Sequence, residues 1–293
     1  MEPTFAVVHP PADTNGWWRV RGYFRLIHPF PVAMNAVAAV AFALLAAHGW
    51  PGGRTIALIG AAIIGSQATV GVVNDLRDRD LDAIAKPHKP LVAGRATARG
   101  AACVGGVMLL VALGAGAALG RLSLLFVIGM TAAGLVYDLW LKRTAASFLP
   151  YIFGLPLLPI WAWICVRDAP PRLWLTYPLG VLVGFGLHLA NALPDAERDA
   201  VGGVRGIVQV VGTRAALLLC LGSFAVALLV VAALTAGRRD TAVVVLIGGA
   251  AVLLLGAASS ALAWPTAGTL QRNWGLLIGC AIAVAAAWLR ALS

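Results

Sequence analysis

Apolar residues in this 293-residue chain fall in long unbroken runs rather than in alternation with polar ones. A helix needs about 20 apolar residues to cross the hydrocarbon of a bilayer, and polar or proline-bearing turns divide the sequence into about nine runs of that size. These fall near 29–48, 55–75, 99–119, 122–140, 147–166, 173–193, 214–236, 241–262 and 274–292. No run has the alternating pattern of a transmembrane barrel strand, so the expected class is all-α, a polytopic membrane protein. Residues 1–28 stand apart as a polar tail and an interfacial segment, with 29–293 as the transmembrane domain. Trp17, Trp18, Arg19, Arg21, Tyr23 and Arg25 mix aromatic and basic groups as a helix lying in the headgroup region does. The tail before them resembles neither a signal nor a transit peptide.

Composition agrees: 60% of residues are hydrophobic and 12% charged, with a mean hydropathy of +0.88. Soluble domains carry about 25% charged residues, and one soluble core could not bury this much apolar surface. The net charge of +10 would suggest nucleic acid were it clustered. Its distribution indicates topology instead. With the N-terminus in the cytoplasm, fifteen of the 22 basic residues lie on inner segments, among them Arg77, Arg79, Lys86, Lys89, Arg95, Lys142, Arg143, Arg198 and Arg205. Seven, including Arg54, Arg121 and Arg167, fall outside, the bias of the positive-inside rule. The expectation is therefore a multi-pass protein of the cell inner membrane, with its N-terminus cytoplasmic, an anionic substrate, and no nucleic-acid partner. Cys103, Cys165, Cys220 and Cys280 each sit alone in a run and read as small core residues, not as a disulfide or metal set.

The polar positions hold the chemistry. The second run passes into Asn74-Asp75-Leu76-Arg77-Asp78-Arg79-Asp80-Leu81-Asp82, which contains four of the twelve acidic residues. On a helix Asn74, Asp78 and Asp82 recur at i, i+4 and i+8, and Asp75 lies three before Asp78, so the groups share one face. A solvated helix end neutralised by Arg77, Arg79 and Lys86 would account for one such stretch. The sixth run, however, leads into Asn191, Asp195 and Asp199 at the same spacing, an internal repeat of a site. Two acidic faces at one membrane depth would converge on a polar chamber, with His188 a candidate to point into it. A basic, proline-punctuated loop, Lys86 to Arg95, follows the first motif and would suit a lid over an anion. Tyr137 to Arg143 form an aromatic and basic cluster on the same side, readable in part as an interfacial belt. Asn35, inside the first run, lines a cavity or makes a helix–helix hydrogen bond. The last three runs hold almost nothing ionisable and read as cavity walls or packing.

Carboxylate and amide oxygens are the ligands hard divalent ions prefer, and Mg²⁺ binds through one or two carboxylates together with substrate phosphates. Two carboxylate faces, nearby Lys and Arg, and an apolar bundle together suit a polyprenyl diphosphate held by Mg²⁺, with membrane lipids around it. Loss of the diphosphate leaves an allylic cation that an aromatic face such as Tyr137 could stabilise.

The run Asn74-Asp75-x-x-Asp78-x-x-x-Asp82, with Lys89-Pro90-Leu91-x-x-Gly94 after it, resembles the first signature of the UbiA superfamily of intramembrane prenyltransferases. Asp195-x-x-x-Asp199 followed by Gly203 and Arg205 resembles the second, and Tyr137 to Lys142 the segment between. The resemblance implies nine transmembrane helices around a central cavity with a cytoplasmic cap, and Mg²⁺-dependent transfer of an isoprenyl chain to an aromatic or lipid acceptor. It implies that Asn74, Asp75, Asp78, Asp82, Asp195 and Asp199 bind the metal. Asp75, Asp78, Asp195, Tyr137 and Lys142 would then act in catalysis, and Asn74, Arg77, Lys89, Arg95, Asn191, Arg198 and Arg205 would contact substrate. Lys89 stands where many members have Arg, exchanging a bidentate fork for a point charge. The motif wording is nearer the chlorophyll-synthase and archaeal-lipid branch than the hydroxybenzoate branch. A membrane terpene cyclase, which turns the cation back on its own chain, shares the same diphosphate site. An ion-coupled transporter would instead place its acids at mid-membrane on broken helices.

Overall fold

The computed structural model describes residues 16–201, 203–235, 247–249, 251 and 267–292. Among these, every regular element is a helix. In chain order they are α1 (Trp17–Leu26), α2 (Pro29–Ala47), α3 (Gly53–Arg77), α4 (Arg79–Ala85), α5 (Ala98–Leu119), α6 (Arg121–Val136), α7 (Leu149–Gly154), α8 (Leu157–Ile164), α9 (Thr176–Ala192), α10 (Ala196–Val201), α11 (Ile207–Val211), α12 (Thr213–Leu234) and α13 (Ala267–Leu292).

Among the described residues seven helical segments are long and apolar enough to cross a membrane: 29–47, 53–77, 98–119, 121–141, 171–201, 213–234 and 274–292. Each falls on one of the nine predicted runs. The fifth run is different, because Pro156 has no N–H to donate and the chain divides into α7 and α8, a shorter apolar pair. The eighth predicted run, 241–262, lies outside the described residues except at 247–249 and 251. Val37, Leu110, Leu125, Leu218 and Leu229 are largely exposed on the spans, as side chains facing lipid must be.

Small residues set the packing. A Cβ at Gly65 would stand 2.5 Å from the Met108 carbonyl oxygen and 2.7 Å from the Ala112 nitrogen, so α3 and α5 touch backbone to backbone there. Thr69 Oγ1 bridges the same pair, donating to the carbonyls of Gly65 and Gly105 at 2.8 and 3.2 Å. A main core runs through α2, α3, α8, α9, α12 and α13. A smaller cluster of Leu26, Val72, Leu91, Ala96 and Ala101 pins the 86–97 loop onto α1, α3 and α5. That loop is therefore anchored by its own apolar side chains beside the first acidic motif.

Both acidic motifs pass through a helix break rather than riding one continuous helix. α3 stops at Arg77, Asp78 takes φ −89° and ψ 5°, and α4 begins at Arg79. The spacing survives because the ladder continues across the bend, from Asp78 N to Asn74 O at 2.9 Å and from Asp82 N to Asp78 O at 2.8 Å. In the second motif α9 gives way to a tight 3₁₀ turn over Leu193–Asp195, containing Pro194, before α10.

Candidate active site

The first motif is a buried ion-pair cluster. Asp75, Asp78 and Asp82 are 3%, 8% and 6% exposed, a degree of burial at which carboxylates are ordinarily paired, and all three are. Lys89 from the anchored loop reaches back between two of them, its Nζ donating to Asp75 Oδ1 at 2.7 Å and Asp82 Oδ2 at 2.6 Å. Asp78 is held from the other side: Lys142 Nζ donates to its Oδ2 at 2.5 Å and Arg143 to its Oδ1 at 3.1 Å. Burial acts to raise the Asp78 carboxyl, but the Lys142 ammonium and then Arg143 outweigh it and hold it below its ordinary value. Lys89 runs the opposite way: burial acts to lower it, yet its bonds to Asp75 and Asp82 leave the ammonium above its ordinary value.

Three residues that sequence reasoning passed over complete this cluster. His28 lies at the α1–α2 corner in a left-handed conformation, φ 52°, that non-glycine residues seldom adopt. Its Nε2 donates to Asp75 Oδ1 at 3.1 Å, and its ring lies so close over Gly71 that a Cβ there would meet Cδ2 at 2.8 Å. Arg143 belongs to the predicted aromatic and basic cluster, but its pairing with Asp78 is not marked in the sequence. Asp138 is buried, and its Oδ1 accepts from Asn74 Nδ2 at 2.8 Å. An acidic side chain inside the fourth apolar run was a usable signal, because intramembrane carboxylates are rare and costly. For His28 no local pattern pointed inward.

Tyr137 to Leu141 form a π turn closed by the Lys142 N–H on the Tyr137 carbonyl at 2.8 Å. Such bulges recur at functional sites. Here the wide turn sends Tyr137, Asp138 and Lys142 inward together. Tyr137 packs edge-on against Tyr151 at 5.5 Å and against His188 at 6.2 Å, and Tyr151 meets His188 at 4.9 Å. His188 is thus part of the wall behind Tyr137, hydrogen-bonded to Ser147 Oγ at 3.0 Å.

The second motif is more open. Asp195 accepts from Arg198 at 2.5 Å in an exposed pair one turn long. Asn191 Nδ2 donates to the Tyr151 hydroxyl at 3.3 Å, tying this motif to the aromatic wall. Asp199 is half-buried within electrostatic reach of Asp195, Lys142 and Lys86, and Tyr137 stands within reach of both Asp199 and Asp78. The Arg205 N–H donates to the Arg143 carbonyl at 3.3 Å, bringing the loop after the second motif against the end of the π turn. Tyr137 and Lys142 therefore stand within electrostatic reach of both acidic motifs. Arg77 and Arg205 are exposed at the rim. Arg95 is half-buried and packs its backbone on Gly22 of α1.

An apolar cavity opens between α2, α8, α9 and α13, lined by Asn35, Phe42, Val183, Leu187, Ala281 and Trp288 among others. Leu187 adjoins His188 at the motif end of α9; at the opposite end Trp288 Nε1 donates to Thr176 Oγ1 at 2.8 Å. Asn35 both lines this cavity and donates to Gln67 at 3.3 Å, so the two readings of that residue coexist. The residues of α13 make the predicted apolar wall.

Among the described residues no three Asp, Glu, His or Cys side chains converge to cage a metal ion. The donor set nonetheless fits Mg²⁺. The Lys89 ammonium marks a point on which Asp75 and Asp82 already converge, and Mg²⁺ uses one or two carboxylates plus phosphate oxygens rather than a protein cage.

Comparison with known proteins gives a consistent result. The model of the UbiA prenyltransferase family matches residues 35–274. Digeranylgeranylglyceryl phosphate synthase from Methanopyrus kandleri is 27% identical over 215 residues, 72% of this chain and 77% of that protein. A structure solved in work on digeranylgeranylglyceryl phosphate synthase in membranes superposes with a TM-score of 0.73 at 14% identity, covering 92% of this chain and 97% of its own. A UbiA homologue from Archaeoglobus fulgidus bound to GPP and Mg²⁺ gives 0.70 at 20% identity, over 92% and 99%. At those identities the likeness of the solved structures is one of fold.

Proposed function

The chain belongs to the UbiA prenyltransferase family, and from that premise we propose that it moves an isoprenyl chain from a polyprenyl diphosphate to a lipid acceptor in an Mg²⁺-dependent reaction. The observation that carries this reading is that Lys142 pairs with the first acidic motif within electrostatic reach of the second, whose Asp195 carries its own Arg198, in a bundle that also holds an apolar cavity. Relatedness to a digeranylgeranylglyceryl phosphate synthase supports a lipid acceptor of the glyceryl phosphate kind over an aromatic one. The excess of basic residues on the motif side supports a cytoplasmic site, with residues 1–28 as tail and interfacial helix.

In this reading Asn74, Asp75, Asp78, Asp82, Asp195 and Asp199 hold the metal. Bound Mg²⁺ supplies a charge clamp on the diphosphate oxygens. Lys89 and Lys142, the ammonium groups paired with these carboxylates, would neutralise the charge of the leaving diphosphate. Arg77, Arg95, Arg198, Arg205 and Asn191 complete the anion-binding rim. Tyr137 presents its ring to the allylic carbon as positive charge develops there, and the cavity toward Trp288 takes the hydrocarbon tail and excludes water.

The test is to incubate detergent-purified protein with Mg²⁺ and radiolabelled geranyl, farnesyl and geranylgeranyl diphosphates, with and without a lipid acceptor. Acceptor-dependent prenylated product is expected. A hydrocarbon or alcohol formed without acceptor would mean cyclisation, and retained diphosphate under every condition would overturn both.

A further inference from the structure

Four carboxylates are buried among the described residues, and three of them are paired: Asp75 with Lys89 and His28, Asp78 with Lys142 and Arg143, Asp82 with Lys89. Asp138 is the exception. It is 7% exposed; among the described residues its Oδ1 meets only the neutral Asn74 amide and its Oδ2 has no hydrogen-bond partner. A lone buried carboxylate is among the costliest groups a fold can carry, and such groups are kept where they pair with a cation or coordinate a metal. Asp138 is joined directly to the first residue of the acidic motif and lies within electrostatic reach of Asp78 and Lys142. The π turn directs it inward. Its orphan oxygen is a hard donor beside the place where the other carboxylates already gather cations.

We propose that Asp138 is itself a divalent-cation ligand, supplying through Oδ2 an oxygen donor that neither acidic motif contains, and that Asn74 orients it. This rests on the Mg²⁺–diphosphate reading above. It also gives a role to the hydrogen bond that joins these residues across a separation of 64.

The experiment uses the full-length protein in detergent and Mn²⁺ as the probe, with free ion counted by electron paramagnetic resonance beside a non-cleavable geranyl diphosphate analogue. D138N keeps the side chain's shape and an acceptor for Asn74 while removing the charge. Mn²⁺ affinity is expected to fall by at least about tenfold, the loss that even an outer-shell partner produces. D80N, at an exposed position on α4, leaves it unchanged. The apo unfolding midpoint of D138N stays at or above that of the unsubstituted protein, because a buried amide costs less than a lone carboxylate. A structural carboxylate would do the reverse, lowering the midpoint while leaving Mn²⁺ affinity intact, and that result overturns the assignment. Should D138N not fold, D138S carries the same comparison. If the unsubstituted protein binds no Mn²⁺ with the analogue, the Mg²⁺ reading itself fails; if it binds and D138N matches it, only the role of Asp138 does.

Discussion

Replacing Lys89 by Met tests whether the basic loop is a removable latch on the carboxylates proposed to bind metal. Methionine keeps the apolar stem that packs in the loop but removes the ammonium bridging Asp75 and Asp82 at 2.7 and 2.6 Å. The three side chains are only 17%, 3% and 8% exposed, so water cannot readily replace the lost charge. Breaking a buried pair by removing one partner costs about 3–5 kcal/mol. His28 still holds Asp75, which argues for the lower end, about 3 kcal/mol. At about 2–4 °C per kcal/mol for a chain of this size, the unfolding midpoint in metal-free detergent should drop by ~6–12 °C. Tryptophan fluorescence during a thermal ramp reads it. Mg²⁺ should then recover the loss, since the freed carboxylates accept it without displacing a lysine; saturation at a hundred times Kd returns about 2.7 kcal/mol. The variant is therefore expected to be weaker than the unsubstituted protein without metal, more strongly stabilised by metal, and poor in turnover. A metal-free midpoint unmoved by K89M, or an Mg²⁺ shift no larger than in the unsubstituted protein, would refute the latch.

D195A should abolish turnover with an unchanged midpoint, because Asp195 is exposed and its partner Arg198 is left solvated, whereas D78A should abolish turnover and also lower the midpoint, since it strands Lys142 and Arg143; residual activity in either variant above about one per cent would contradict the site. The pH dependence of stability should show a plateau. Asp78 is held below its ordinary 3.8, so its contribution is present above that value and lost as pH falls through its lower folded value; Lys89 is held above 10.5, so its contribution is present below that value and lost as pH rises past it. Midpoints measured from pH 3 to pH 11 check both limbs, and D78N should flatten the acid one. Y137F should retain most of the turnover rate if the ring face stabilises the cation, while Y137A loses about a hundredfold; equal losses would point to the hydroxyl instead. Ala281→Phe, which fills the apolar cavity, should leave geranyl transfer intact and suppress geranylgeranyl transfer in a competition assay.

Several features were legible in the residues alone because their causes are local. A bilayer demands about 20 apolar residues per helix, so seven of the nine predicted runs correspond to spans in the structure, and the composition left no other class. The spacing of Asn74, Asp78 and Asp82 predicted three groups on one side, and the repeat at Asn191 predicted the second half of the candidate site. Those inferences need only helical period and the cost of charge in hydrocarbon. The division of the fifth run into α7 and α8 was marked by Pro156, although the apolar run itself concealed it.

The pairing of those groups is a property of the tertiary structure. Which cation faces which acid depends on how α3, the 86–97 loop and the π turn pack, and that packing uses close approach at small residues, backbone to backbone at Gly65 and the His28 ring over Gly71. His28 reaches Asp75 across 47 residues and Asn74 reaches Asp138 across 64, separations at which sequence periodicity carries no information. The sequence by itself determined a membrane bundle with two acidic motifs and the cations to neutralise them. Only the three-dimensional arrangement decided that three of the buried acids are held by cations while Asp138 is left with an amide and an unpaired oxygen.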